Sequence, residues 1–345
     1  MRKLIFIIII VILVLLSIII ARRVRERFNN LPTNDNQTTN GTLPDGVPPT
    51  GGSFAYAPGD YKESITVDGR ERTYLLHIPT GFDAAKKYPL VLGFHGGNGT
   101  GEKFARQTGF KEKADAEGFI AVFPDGIENN WNDGRGTTDA EKQGVDDIKF
   151  LRSLVGRLQE KLPIDAKRIY ATGVSNGGIF SHRLACDMAD VFAATAPVIG
   201  SLATNYVAKC NPVAPVSLVV IQGTEDPFIP IEGGDTKHKR LGIGDGGLVE
   251  SADAAMKFWA KKNGCATSPT TVEPRPAVSD GTYYTLYQYK NCRNDTAVFY
   301  YVVHGMGHGW PPKGGEVSER VSGPTSQNIN ATDVIWEFFE GHTKK

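Results

Sequence analysis

Polarity along the chain divides it into three stretches. Leu4 to Ala21 is an unbroken apolar run with Ser17 as its only polar member. At about 1.5 Å per residue it nearly crosses a bilayer core of about 30 Å. Arg2 and Lys3 precede it, and Arg22, Arg23, Arg25 and Arg27 follow it. Its end places isoleucine where a signal-peptide cleavage site wants a small residue. Residues 1–28 are therefore expected to be an N-terminal transmembrane anchor in preference to a cleaved signal segment. Residues 29–58, rich in Asn, Thr, Gly and Pro, are expected to be a flexible polar tether. Residues 59–345 carry the periodic patterns of a folded domain.

Within that domain short apolar runs alternate with amphipathic ones. Arg72–Pro79, Pro89–His95, Phe119–Pro124, Arg168–Val174, Phe192–Ile199, Ser217–Gln222, Tyr283–Tyr289 and Val298–Val303 read as strands. Glu102–Glu117, Val145–Leu162, Asn176–Met188, Leu248–Lys262 and Ala331–Glu340 read as helices. In the second of these Ile148, Leu151, Leu154, Val155, Leu158 and Leu162 fall on one face. Asp146 and Asp147 lie in its first turn, where the helix dipole favours negative charge, and are expected to be structural. The alternation predicts an α/β fold, a mostly parallel central sheet with helices on both faces. Ligands of such sheets bind beyond the carboxyl ends of the strands, so polar residues just after strands carry the candidate chemistry.

Charge narrows the partners. Lysine plus arginine equals aspartate plus glutamate at 38 each, which leaves no basic footprint for nucleic acid. A membrane is expected to be met through the N-terminal segment only.

Gly173-Val174-Ser175-Asn176-Gly177 fits G-x-S-x-G between a predicted strand and a predicted helix. That pattern places a serine on a strained turn whose flanking residues must be small. A serine hydroxyl needs a base, and the base needs a carboxylate. His308, in a Gly-rich loop past the strand Val298–Val303, is the expected base. His304 ends that strand and is committed to the sheet. His182 is on the helix after the serine, His238 lies in the charged run TKHKR and reads as a solvated surface residue, and His342 lies in a fraying terminus. Asp226, directly after Ser217–Gln222, is the expected acid, with Glu225 as its competitor, while Asp235 and Asp245 fall in a Gly-rich excursion that reads as a surface loop. Asn176 N–H and a donor from the loop containing Gly96 and Gly97 are expected to form the oxyanion hole. No metal or cofactor is expected: His304 and His308 are separated by Gly-Met-Gly, which does not make a helical ligand pair.

Several of these segments together resemble the exported esterases of the polyhydroxybutyrate-depolymerase and feruloyl-esterase family. They are FHGGNGTG, WNDGRG, VDDIKFL, RIYATGVSNGGIFSHRLAC, FAATAPVIG, QGTEDPFIP and HGMGHGWP, spread over most of the folded part. The resemblance implies an α/β-hydrolase fold, a triad of Ser175, Asp226 and His308, and a place near the acyl or aryl pocket for Trp310 and Trp131. The sequence departs from the family where Asn98 replaces a third glycine and Met306 interrupts a glycine run.

An even number of cysteines after an export-type N-terminus suggests two disulfides. The family implies Cys186 with Cys210 and Cys265 with Cys292. These cysteines place the domain outside the cytoplasm, whereas the four arginines after the span pull the other way. The expected activity is hydrolysis of short or aromatic acyl esters, of feruloyl, acetyl or hydroxybutyryl type, on a polysaccharide or polyester. The segment Pro230–Gly247, dominated by Gly, Lys, Arg and Asp, predicts an open polar mouth, and Trp310 offers a stacking surface. The competing readings are a serine peptidase on the same fold and a non-catalytic surface-binding protein.

Overall fold

Strands that are apolar at every position need cover on both faces. The computed structural model describes residues 56–345 apart from Lys239 and Glu316. The expected anchor, and the tether up to residue 55, lie outside the described residues. Among the described residues no helix is long and apolar enough to cross a membrane.

The strands are β1 (Gly59–Val67), β2 (Arg70–Ile78), β3 (Tyr88–Phe94), β4 (Ile120–Pro124), β5 (Ile164–Val174), β6 (Ala194–Val198), β7 (Ser217–Gly223), β8 (Thr270–Val272), β9 (Tyr283–Tyr289) and β10 (Val298–His304). They form one sheet in the order β1-β2-β4-β3-β5-β6-β7-β10-β9-β8. From β4 to β10 all pairings are parallel, and antiparallel strands close both edges. The principal helices are α1 (Gly101–Thr108), α2 (Phe110–Glu117), α3 (Asp147–Lys161), α4 (Asn176–Asp187), α5 (Ala252–Asn263) and α6 (Ala331–Glu340). One face of the sheet packs on α1, α2 and α6 through Phe104, Phe110, Ile335 and Trp336. The other packs on α3, α4 and α5 through Leu154, Phe180 and Trp259. The α/β expectation holds.

Several expected boundaries moved for local reasons. The helix expected over Glu102–Glu117 breaks at Gly109, whose φ of 74° ends α1 in a left-handed cap. The helix expected from Leu248 begins at Ala252, because the Ser251 hydroxyl accepts the Ala254 N–H at 3.1 Å. Leu248–Val249 instead pairs with Gly234–Asp235. Asp146 caps α3 by accepting from Lys149 N–H at 2.9 Å. Asp147 is buried with Arg72, N–O 2.7 Å, and also accepts the Asn132 N–H at 2.8 Å. Burial pushes its carboxyl up and the Arg72 guanidinium pulls it down. Both aspartates are structural.

Two disulfides are present, Cys186–Cys210 and Cys265–Cys292, spanning 24 and 27 residues. Loops of that size correspond to about 3 kcal/mol each in the chain-entropy picture. Non-reducing mass spectrometry of the native protein is expected to show both bridges and no alkylatable thiol. Four free thiols would contradict the structure and the placement outside the cytoplasm.

Candidate active site

At the carboxyl end of β5 the chain reverses direction within one residue. Ser175 takes φ 56° and ψ −118°, left-handed backbone that a non-glycine residue adopts only under constraint. A methyl at Gly177 would overlap the Phe94 carbonyl oxygen, and one at Gly173 the Gly177 backbone. These are the two positions the elbow requires to be small. Ser175 N–H is tied to Val198 O at 3.1 Å.

Asp226 follows β7 by three residues and is buried. Its Oδ1 accepts the Phe228 and Ile229 N–H groups at 2.8 and 2.9 Å, and its Oδ2 is 2.7 Å from His308 Nδ1. His308 lies in the loop after β10, with its ring 4.9 Å from that of Phe228. Ser175 and His308 line one cleft, with Gly96, Gly97, Phe104 and Val317.

The other titratable candidates lie elsewhere. Glu225 is exposed beside the buried Asp226. His304 bonds Thr285 Oγ1 at 3.0 Å and stacks on Tyr283. His182 is buried, accepts the Trp259 indole N–H at 3.0 Å, and is pushed down to about 3 by burial, which keeps it neutral. His342 is no fraying end: its ring stacks on Phe338 and its carbonyl accepts the Tyr170 hydroxyl at 2.9 Å. His238 corrects the expectation of a solvated residue. It is buried, accepts the Arg240 and Leu241 N–H groups on Nδ1, and donates from Nε2 to Val321 O at 3.1 Å.

The loop after β3 carries Gly96 and Gly97. His95 Nε2 accepts the Gly126 N–H at 2.9 Å, so the ring proton sits on Nδ1 and is donated to Gly96 O at 2.7 Å. Gly99 N–H donates to the same carbonyl at 3.0 Å. With that oxygen tethered, the planar peptide turns the Gly97 N–H to the opposite side. Asn98 takes φ 61° and its N–H donates to Asn129 O. Asparagine tolerates that region better than most side chains, which accounts for its standing where the family has glycine. Met306, the other departure, is buried in the apolar cluster.

Both tryptophans expected at the substrate surface are 0% exposed. Trp310 packs edge-on against Phe104 and Phe110 and donates its indole N–H to Thr332 Oγ1 at 3.1 Å. Trp131 stacks on Phe180 and donates to His95 O at 3.0 Å. Each ring has its faces packed and its one donor satisfied, so neither offers a surface to a ligand. Trp131 acts from behind the site instead. Its backbone N–H donates to Asn176 Oδ1 at 2.8 Å, while Asn176 Nδ2 donates to Asp133 Oδ2 at 2.6 Å. The residue after Ser175 is thus locked to the segment 131–133.

Asp133 in turn pairs with buried Arg135, 2.8 Å. Arg135 reaches the Pro230–Gly247 excursion through Thr236 Oγ1 at 2.5 Å and Gly246 O at 2.8 Å. The sequence reading missed this network; its signal was the polar, glycine-spaced run WNDGRG. The excursion is closed down on the body by these bonds and by His238, though Leu241 and Ile243 on it are exposed.

Residues 72–210 match the family described as Esterase PHB depolymerase. "Putative esterase NocK" of Nocardia uniformis subsp. tsuyamanensis is 31% identical over 287 residues, covering 80% of this chain and 81% of its own. Feruloyl esterase B of Piromyces equi is 31% identical over 243 residues, 69% of this chain and 42% of its own length. Among solved structures, acetyl xylan esterase from Aspergillus awamori superposes with a TM-score of 0.53 at 14% identity, covering 81% of this chain and 99% of that one. That likeness concerns the fold, which is the α/β-hydrolase fold. The chain belongs to the PHB-depolymerase family of esterases, and it is a carboxylic ester hydrolase.

Proposed function

We propose that the chain hydrolyses short or aromatic acyl esters of carbohydrate or hydroxyacid type through a Ser175–His308–Asp226 triad and an acyl-enzyme. The observation that carries this reading is the 2.7 Å contact between His308 Nδ1 and an Asp226 otherwise bonded to two backbone N–H groups, beside a serine on a strained elbow. Asp226 Oδ2 holds the imidazole proton on Nδ1, which leaves Nε2 as the base. Ser175 Oγ bonds to the ester carbonyl carbon as its proton passes to Nε2. The oxygen that becomes negative is met by the N–H groups of Asn176 and Gly97, with Gly96 giving the backbone its close approach. When the C–O bond to the alcohol breaks, His308 returns the proton to the leaving oxygen. Water then repeats the sequence on the acyl-serine and releases the acid. Each oxyanion donor of this kind is worth about 10²–10³ in kcat.

The relatives named for feruloyl and acetyl xylan esters support the substrate class. The two disulfides support an extracytoplasmic location; an anchor in Leu4–Ala21 followed by the polar tether is part of the proposal. A fluorophosphonate probe is expected to label Ser175 alone. In the same preparation, methyl ferulate, acetylated xylan, hydroxybutyrate oligomers and a p-nitrophenyl acyl series should be compared with matching amides. Preference for chains of about a dozen carbons would overturn the substrate class, since only a deep apolar cleft gains with every methylene. Faster cleavage of amides would overturn the esterase reading in favour of a peptidase.

A further inference from the structure

Gly97 faces two acceptors that the hydrolytic steps do not use. A Cβ built on Gly97 would lie 3.2 Å from Asn130 Oδ1 and 3.5 Å from Asp245 Oδ2. Asn130 is 4% exposed, and its Nδ2 is committed to Glu128 O at 2.9 Å. Its Oδ1 is buried and has no donor among the described residues. Such orphaned oxygens are uncommon in folded proteins and call for an explanation.

Asp245 comes from the excursion pinned by Arg135. Its carboxylate meets that guanidinium only at 3.8 Å, because Arg135 places its short bonds on Asp133, Thr236 and Gly246. Burial raises the Asp245 carboxyl above the usual range, and nearby Asp133 adds to the effect while Arg135 opposes it. A buried acceptor without a donor, Asn130 Oδ1, and the exposed carboxylate of Asp245 therefore stand together at Gly97, which has no side chain to cover them.

An ester held at Ser175 extends in two directions from its carbonyl carbon. The apolar part of the cleft, lined by Phe104, Val174, Ile199 and Val317, suits the acyl half, with Lys103 and Gln107 also on its wall. The atoms nearest to a side chain built at Gly97 are both acceptors, which favour hydroxyl donors over carboxylates and phosphates. We propose that Asp245 and Asn130 Oδ1 form a hydroxyl-binding subsite for the alcohol half of the ester, a sugar with free hydroxyl groups beside the acylated one. This rests on the esterase reading above and adds specificity to it. The glycine at 97 keeps the subsite open, and Arg135 holds Asp245 over it.

The test compares two acetyl esters that differ only in the alcohol, p-nitrophenyl acetate and mono-acetylated xylotriose, in the full-length protein. Asp245→Ala is expected to raise KM for the xylotriose ester about tenfold, as for loss of a charged hydrogen bond, with kcat little changed. Hydrolysis of p-nitrophenyl acetate should stay within about twofold. Asp245→Asn, which keeps an acceptor, should restore most of the loss. Equal loss on both esters would show a purely structural role and overturn the subsite alone, as would no change on either. Wild-type protein inactive on both esters would overturn the esterase reading and the subsite with it.

Discussion

Ser175→Ala is expected to lower kcat for ester hydrolysis by roughly 10⁴- to 10⁶-fold while leaving the melting temperature unchanged. The separation of the two effects follows from the elbow. The Ser175 hydroxyl does not cap α4, and the backbone strain at φ 56° is the same for alanine as for serine. What the substitution removes is the one atom that bonds to the carbonyl carbon. His308→Ala should be about as damaging, and the double variant little worse than either, because the groups act as one unit. His304→Ala should be far milder on kcat and should act through stability, since its ring is held by Thr285 and Tyr283 at the carboxyl end of β10. Steady-state kinetics beside thermal melts check all four variants. An essential His304 would overturn the assignment of the base.

Asp226→Asn is expected to cost about 10⁴-fold in kcat with the fold intact. Two backbone donors, Phe228 N–H and Ile229 N–H, dictate how the amide must sit, because only its oxygen can accept from them. The amide nitrogen is then turned toward His308 Nδ1 in place of the carboxylate oxygen. It donates where Asp226 accepted, so the imidazole must carry its proton on Nε2 and cannot take one from Ser175. Asp226→Ala should lose activity comparably and also destabilise the loop by leaving two N–H groups unpaired. Glu225→Gln, at an exposed position, should change little. Kinetics on all three variants, with melting temperatures, distinguish a wrong tautomer from a disordered loop. Full activity in Asp226→Asn would remove Asp226 from the mechanism.

Where the fold could be read in advance, a single physical signal dominated. Continuous apolar runs such as Pro89–His95 and Ser217–Gln222 can be satisfied only by burial on both faces, and they became central strands. Tyr283–Tyr289 and Ala331–Glu340 matched to the residue. The edge strand β1 was missed because Glu63 interrupts the period-two series Tyr61, Ile65 and Val67, and β8 because its three positions are all exposed. At the site, Ser175, Asp226 and His308 could be singled out as candidates because each follows a strand, and strand ends are visible in sequence. Side-chain burial was not. Trp131 and Trp310 sit in polar, glycine-rich segments that look exposed, yet each indole N–H finds an acceptor inside. His238 was hidden by its charged neighbours for the same reason. The bonds joining Asp133, Arg135 and the excursion link residues about a hundred positions apart, beyond the reach of any local pattern.

The order of strands in the sheet also governs when a growing chain becomes an enzyme. Synthesis completes β5 and the serine elbow early and β7 with Asp226 somewhat later. Yet β7 pairs directly with β10, Leu218 beside Val298, and the base lies beyond β10. Until those late residues emerge, the flank of β7 has no neighbour on that side, and on the proposed triad the serine lacks its base. Non-local parallel pairing of this kind forms slowly, so assembly of the three groups belongs to the last stage of maturation. On the proposed triad, a nascent chain that has not yet added β10 and the loop after it is expected to be hydrolytically silent.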